Sequence, residues 1–186
     1  MGVIEAFGLS ASAGLNAYIP LLVVSLLARF TNLIKLSEPW SALESWWIIG
    51  LLIALSLVEF FADKVPAVNH VNDIIQTFIR PTAGAILFAA SANVITDINP
   101  VLSLAAGLLI AGSVHAIKSL AIRPAVTATT GGTANVPVSV AEDVVSTVMS
   151  VLSIVLPILM VILLVAMAFL IIWWLTHRKR RNKSQA

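Results

Sequence analysis

The sequence predicts an all-α, polytopic helical membrane protein with about five transmembrane helices. Hydrophobic residues make up 59% of the 186-residue chain and charged residues only 11%, whereas roughly a quarter of the residues in a soluble domain are charged. Several apolar runs approach the length of about 20 residues that a helix needs to cross a bilayer. Short strings also recur along the chain, which is typical of membrane proteins built from related halves.

Three pairs of similar strings define the predicted internal repeat. They are residues 50–54 with 107–111, residues 72–77 with 142–147, and residues 11–14 with 81–84. The first repeat covers about residues 11–80 and the second about 81–150, followed by a final span at about 150–174. Together they form a single transmembrane domain, residues 1–176. Because equivalent spans are two crossings apart, the repeats are predicted to be parallel.

The first two predicted spans lie on either side of a polar loop. The first is the apolar run of residues 6–28, which has Asn16 inside it, and the loop covers residues 29–45. Tryptophans then mark an interface, where amphipathic rings prefer to sit. The second span, residues 46–62, follows directly.

The third and fourth spans are preceded by a more polar stretch. Residues 65–77 are too polar for a lipid-facing span and are predicted to be interfacial or partly inserted. The third span is residues 78–95, with Arg80-Pro81 at its start, because proline is tolerated in a first helical turn. An Asn-Pro turn then leads to the fourth span, residues 101–122.

The longest irregular connection precedes the last span. Residues 123–138 contain two adjacent glycines and a later proline, which disfavour a continuous helix. This connection and residues 65–77 are the two irregular segments that could re-enter the membrane. The last apolar run extends to residue 174 and is longer than one crossing needs, so it must tilt, kink at Pro157 or begin in a polar vestibule.

The charged tail at residues 177–186 sets the predicted orientation. Its Lys and Arg residues follow an apolar run, which is typical of a cytoplasmic anchor. We therefore expect a multi-pass protein of the cell inner (plasma) membrane with a cytoplasmic C-terminus. Five spans place the N-terminus outside. A sixth crossing within residues 65–79 or 124–148 would invert part of this scheme.

Composition also narrows the function class. The chain has no cysteine, which removes thiolate metal sites and disulfides, and no zinc-binding histidine spacing or serine nucleophile motif is present. We expect no enzyme, no cofactor, no metal and no nucleic-acid partner, with the lipid bilayer as the surroundings. An intramembrane hydrolase that uses Asp73 and Asp143 as paired carboxylates is the enzymatic alternative, and only that pair supports it.

Charged residues near two of the predicted span ends form the candidate substrate or ion pathway. They are Glu59, Asp63, Asp73, Arg80, His115, Lys118, Arg123, Glu142 and Asp143. Isolated charges in hydrocarbon cost several kcal/mol, so they pair or face water. Glu59 and Asp63 are four residues apart, and His115 and Lys118 are three apart, so each pair lies on one face of its helix. We therefore expect Glu59 and Asp63 to pair with His115 and Lys118 across the second and fourth spans. The alternative is that these groups cap helix ends and snorkel outward.

Two further features have alternative interpretations. Arg80 and Arg123 share the string Ile-Arg-Pro and could clamp an anion, pair with Asp73 or Asp143, or act as interfacial anchors. A glycine-containing string in the second irregular segment resembles the unwound backbone that binds ions in transporters. The alternative interpretation is that it is a flexible outer loop. Its candidate residues are Thr130, Gly131, Gly132, Thr133 and Asn135.

Four strings carry a family resemblance. Residues 58–68 (VEFFADKVPAV), 77–81 (TFIRP), 13–18 (AGLNAY) and 141–144 (AEDV) are similar to those of small bacterial integral membrane proteins catalogued as domain of unknown function 4126. The resemblance covers nearly the whole chain and implies the fold without a reaction. Asn69 stands where the resemblance leads us to expect an acidic residue, which puts in doubt a carboxylate role at that position.

Two functions are compatible with these observations. The first is a small transporter or channel-like permease for an ion or small polar solute, with a charged site between the repeats and with proton coupling through a buried carboxylate. The second is a non-catalytic assembly or anionic-lipid-binding protein whose charged layer is structural. Runs of Ala, Gly and Ser in the spans predict close helix contact and could support a homo-oligomer.

Overall fold

The computed structural model describes residues 2–63, 66–92 and 99–157, and positions 159, 162–163, 165–170 and 173 beyond them. The regular secondary structure of these residues is all helical, with no strand among them, as predicted. Three helices are long and apolar enough to cross a membrane, which makes a membrane location plausible: Ile74–Ser91, Pro100–Thr130 and Asn135–Val155. We term these three the candidate spanning helices. The basic tail lies outside the described residues.

The first apolar run forms two helices, so the predicted span is not one continuous helix. Helix α1 covers Val3–Leu15 and α2 covers Tyr18–Phe30. Asn16 between them is extended, with φ −142° and ψ 129°. Its Oδ1 accepts hydrogen bonds from the backbone N–H groups of Tyr18 and Ile19 at 3.1 and 3.0 Å, in the manner of an N-cap. At 13 residues, each helix is about 20 Å long, shorter than the bilayer core.

The second predicted span is confirmed as a helix with the expected bounds. A 3₁₀ turn at Trp40–Glu44 precedes α3, which covers Trp46–Ala62. The Ser45 hydroxyl accepts a hydrogen bond from the Ile48 N–H at 3.3 Å and caps the start of α3. The helix therefore begins where the loop's last hydroxyl can satisfy a free backbone N–H.

The third helix is longer than predicted. Helix α4 covers Pro66–Ala92 without interruption, so residues 65–77 are not a separate irregular stretch over their described part. Pro81 lies inside this helix and does not open it, which corrects the predicted start of the third span. Helix α5, Pro100–Ile117, begins where predicted, because the Asn99 side chain accepts a hydrogen bond from the Val101 N–H at 2.9 Å.

The second irregular segment is also mostly helical. Helix α5 continues through a π-helical turn, Lys118–Ile122, into α6, Arg123–Thr130. Irregular backbone is confined to residues 131–134, where Gly131 and Gly132 have positive φ values of 63° and 90°. Helix α7 covers Asn135–Val155 and ends just before Pro157, so an interruption next to that proline, one of the three predicted possibilities, is present.

The centre of the fold is the short helix α1, which packs against α4, α5 and α7. Its small residues let these helices approach closely. The Ser10 hydroxyl donates to the backbone carbonyl of Gly84 on α4 at 2.9 Å. A Cβ at Gly107 of α5 would collide with the Gly84 carbonyl oxygen and lie only 2.7 Å from the Phe88 Cβ. The α4–α5 contact therefore needs glycine at these positions.

The two glycines at matching positions of the sequence repeat should respond oppositely to alanine. Gly107→Ala should lower the free energy of unfolding by about 1–3 kcal/mol, because its methyl group overpacks the α4–α5 contact. Gly50→Ala should be neutral or stabilising by about 0.5–1 kcal/mol, since a Cβ there meets nothing within 4 Å. Thermal unfolding in detergent compares the pair. Equal midpoints would contradict the close approach of α4 and α5.

Candidate functional site

A continuous chain of buried ion pairs joins α3, α4, the continuous helix from α5 to α6, and α7. We term it the charge chain, and its members are Glu59, Arg80, Asp63, Arg123, Glu142 and Lys118. Arg80 Nη2 lies 2.8 Å from Glu59 Oε1 and 3.9 Å from Asp63 Oδ2. Arg123 Nη2 lies 3.0 Å from both Asp63 Oδ2 and Glu142 Oε2. Lys118 Nζ lies 2.8 Å from the same Glu142 oxygen. Positive and negative groups alternate and cancel.

Burial makes this pairing necessary. The side chains of Glu59, Arg80, Asp63 and Lys118 are at most 2% exposed, and those of Arg123 and Glu142 about a tenth. An uncompensated buried ion costs several kcal/mol, so each charge requires an opposite neighbour. All three candidate spanning helices contribute: Arg80 on the first, Lys118 and Arg123 on the second, and Glu142 on the third. The interpretation of Lys118 as a snorkelling side chain is therefore wrong.

The pairing differs from the prediction across the second and fourth spans. The acids at the end of α3 pair with Arg80 of α4 and Arg123 of α6, while Lys118 pairs with Glu142 of α7. The reason is the π-helical turn, in which the Arg123 N–H bonds the Lys118 carbonyl. The hydrogen bond between residues five apart in a π turn brings them closer to one face than on a regular α-helix, where they are rotated by about 140°. Lys118 and Arg123 can therefore reach the same carboxylate, which they would not do on a regular α-helix.

The charge chain ends at the break between α1 and α2. Lys118 Nζ donates to the backbone carbonyl of Leu15, the last residue of α1, at 2.9 Å. Carbonyls at a helix C-terminus lack intrahelical partners and carry partial negative charge, which stabilises an ammonium. Beyond the break, Asn16 Nδ2 donates to Asp143 Oδ1 at 3.0 Å. Lys118 and Asp143, two of the predicted site residues, thus hold the extended backbone in place.

His115 lies against the charge chain as a neutral ring. Its Nδ1 is 3.1 Å from Arg80 Nη1, and its Nε2 is 3.2 Å from Thr77 Oγ1. Arginine can only donate, so Nδ1 accepts and the ring proton lies on Nε2. The histidine therefore orients Arg80 rather than pairing with an acid. Asp73 lies on α4, but its side chain is outside the described residues.

Sequence reasoning missed the neutral partners of the charge chain. Asn72 Nδ2 donates to Asp63 Oδ1 at 2.7 Å, and the Ser139 hydroxyl lies 3.4 Å from Asp63 Oδ2. Gln76 is also buried. The available signal was the spacing of Asn72, Gln76 and Arg80, which are four residues apart and share one face of α4.

A buried cluster of serines, also missed, joins α1 to α7 one turn from Glu142. Ser12 Oγ lies 2.9 Å from Ser146 Oγ and 2.7 Å from Ser150 Oγ, and the Ser146 hydroxyl donates to the Ser12 carbonyl at 3.1 Å. All three residues are fully buried. Such hydroxyls hold closely packed helices together in apolar surroundings. Serine at helical spacing along α7 was the available signal.

The glycine-containing string forms a capped turn between α6 and α7. Gly131 ends α6 in the left-handed conformation typical of a helix C-cap. The Thr133 hydroxyl donates to the Thr130 carbonyl at 2.9 Å, and Asn135 Nδ2 donates to Thr127 Oγ1 at 3.1 Å. These bonds are local, and an ion-binding role for the string stays a prediction. Across the part of the chain that is described, no group of three or more His, Cys, Asp and Glu side chains could hold a metal ion.

Comparison with known proteins identifies the family. A family model described as a domain of unknown function (DUF4126) matches residues 3–177, which is nearly the whole chain and includes every member of the charge chain. No curated protein and no solved structure matches the chain. On the extent of that match, the chain belongs to the DUF4126 family.

Proposed function

We propose that this protein is a small multi-pass membrane transporter or channel-like permease for an ion or small polar solute. The observation that supports it best is the meeting of the charge chain with the broken helix α1–α2 at Leu15 and Asn16. Transporters build their sites from discontinuous helices, whose free backbone ends bind charged groups near the membrane midplane. Here the carbonyl end of α1 is bound by the ammonium of Lys118.

The pairing pattern suits a site that rearranges. Arg80 lies between two carboxylates, Glu59 and Asp63, and Arg123 also lies between two, Asp63 and Glu142. Arg123 can shift from one carboxylate to the other while Arg80 stays near Asp63 and Lys118 stays on Glu142, which avoids the cost of an isolated buried charge. Movement of the helices that carry these groups is therefore less costly than in a network of exclusive pairs.

The proposed topology has five crossings: α1 with α2, α3, α4, the continuous helix from α5 to α6, and α7 with the residues that follow it. In this arrangement the C-terminus is cytoplasmic and the protein lies in the cell inner membrane, with parallel repeats on either side of the charge chain. The 17-residue length of α3 is compatible with a core thinned around a polar site, while the two 13-residue halves of the first crossing together are long enough to span the core despite the break.

Flux in proteoliposomes tests the proposal. Wild-type protein should carry a current or ion flux driven by a solute or pH gradient. Glu142→Gln should reduce that flux by about tenfold or more, because Arg123 and Lys118 both lose a charge-assisted contact of roughly 1.5–3 kcal/mol. Glu38→Gln, which neutralises an exposed carboxylate, is the matched control and should behave like wild type. Equal fluxes in all three would remove the charge chain from the pathway.

The second candidate function is a non-catalytic assembly protein, in which the charge chain is a structural staple. The complete cancellation of charge within the chain favours it, since a staple needs no remaining partner. The version in which Arg80 and Arg123 bind an anionic lipid has less support, because Arg80 is fully buried against Glu59. Well-folded protein that carries no flux across a broad panel of ions and small anions would favour the staple.

A further inference from the structure

Glu59 differs from its neighbour Asp63 in how its oxygens are satisfied. Asp63 uses both oxygens, with Asn72 on Oδ1 and Arg123 on Oδ2. Glu59 binds Arg80 through Oε1 at 2.8 Å, while its Oε2 is buried and has no hydrogen-bond partner among the described residues. The residue is only 1% exposed. A buried polar atom without a partner is costly and calls for an explanation.

A second acceptor without a donor lies on the neighbouring helix. Gln76 is 2% exposed, and its Oε1 also has no hydrogen-bond partner in the described parts of the chain. Gln76 lies one helical turn before Arg80, on the same face of α4, and Arg80 holds Glu59. The Gln76 side chain contacts the Tyr18 hydroxyl, and Tyr18 in turn interacts with Glu59 and Arg80. Glu59 and Gln76 thus each place a buried acceptor oxygen without a donor in the part of the site around Arg80.

A carboxylate oxygen and an amide oxygen cannot hydrogen-bond each other unless a hydrogen is added. A protonated carboxyl supplies it, because its O–H becomes a donor while the other oxygen still accepts from arginine. We propose that Glu59 is the proton-binding site of this protein, and that its protonated Oε2 donates into the polar region formed by Gln76 and Tyr18. This inference rests on the proposed function and names the carboxylate that carries its coupling proton.

Proton binding at Glu59 has a direct consequence for Arg80. The neutral carboxyl loses its charge attraction for the guanidinium, while Asp63 Oδ2 is already within 3.9 Å of Arg80 Nη2. Arg80 can therefore shift toward Asp63, which draws α4 relative to the end of α3. The proton comes from the aqueous phase and returns to it when Arg80 moves back to Glu59.

The charged and titratable groups around Glu59 come from each side of the site. Arg80 contacts it from α4, and Tyr18 of α2 is close enough for the charge of Glu59 to act on it. Asp63 follows it on its own chain segment, and Lys118 acts on it from the π-helical turn. Arg80, which contacts the carboxylate directly, favours its ionised form. Proton binding therefore competes directly with the Arg80 contact.

Infrared spectroscopy of the reconstituted wild-type protein tests the proposal without a transport assay. At about pH 6, exposed carboxyl groups with pKa values near 4 are ionised. A protonated carboxylic acid band should nevertheless be present at that pH and disappear as the pH is raised. It should be lost in Glu59→Gln, retained in Glu142→Gln, and shifted in Gln76→Leu, which removes the acceptor.

The outcomes separate this inference from the proposed function. Absence of the band from folded wild-type protein, or its persistence in Glu59→Gln, would overturn proton binding at Glu59; the Gln76 amide would then donate to the carboxylate. Flux measured on the same vesicles is a separate readout. A Glu59-dependent band in protein that carries no flux supports the proton site and rejects the permease. Flux without the band keeps the permease and rejects the site.

Discussion

Replacing Arg80 with methionine should lower the free energy of unfolding by about 3–5 kcal/mol, the usual cost of breaking a buried ion pair. Arg80 is completely buried, and it is the cation within 2.8 Å of Glu59. Above the pH at which Glu59 binds its proton, removal of Arg80 leaves that carboxylate uncompensated. The substitution also removes the donor to His115 Nδ1. Because methionine keeps much of the unbranched stem, lost packing contributes less than lost charge.

The comparison variants isolate the charge term. Arg29→Met removes an exposed arginine that contacts the Trp46 ring at 4.2 Å, and it should cost no more than about 1 kcal/mol. The double variant Arg80→Met/Glu59→Met should recover part of the stability lost in Arg80→Met, since no lone charge remains. Thermal unfolding in detergent measures all three. If Arg80→Met and Arg29→Met unfold at the same temperature, the Arg80–Glu59 ion pair does not stabilise the fold.

The fold class and the bounds of α3 were predictable because they depend on local features. High apolar content with few charges indicates spanning helices, and Ser45 before a tryptophan-led run marks a helix start. The break at Asn16 was not predictable in the same way. One asparagine in an apolar run is compatible with a continuous helix, and the extended backbone is held by Lys118 and Asp143, which are over 100 residues away in sequence.

In helix α4, the sequence predicted an interruption that the structure does not have. Polar residues before Phe78 indicated an interfacial stretch, and Pro81 indicated a helix start, yet the helix passes through both. The polar face of this segment is satisfied by burial against the charge chain, as the Asn72–Asp63 bond shows. Hydropathy measures a segment's average preference for lipid and cannot register a polar face that another helix covers.

The sequence predicted which charged residues come together but not which of them pair with each other. All six members of the charge chain were among the predicted site residues, because charges in an apolar chain are few and require partners. The pairing depended on the π-helical turn at Lys118–Ile122, whose effect is to align two cations on Glu142. A π-helical turn of this kind depends on tertiary packing, so neither the composition of the chain nor the spacing of its charges predicts it.

Replacing Lys118 with methionine should reduce transport by about tenfold or more, the change that corresponds to losing one buried charge-assisted hydrogen bond. Glu142 keeps Arg123 at 3.0 Å, so no carboxylate loses its last cation and the stability loss should be smaller than for Arg80→Met. The Leu15 carbonyl loses its side-chain donor at the end of α1. The effect should therefore fall mainly on the geometry of the break, where the proposed pathway lies.

Two matched variants decide what the ammonium does at that break. Lys118→Arg keeps the charge but replaces a compact point charge with a longer planar group, so it should retain stability and recover little flux. Lys35→Met removes an exposed lysine and should match wild type. Wild-type flux in Lys118→Met would mean that the carbonyl end of α1 takes no part in transport. Since Lys118 joins the break to the charge chain, that result would shift support to the structural staple.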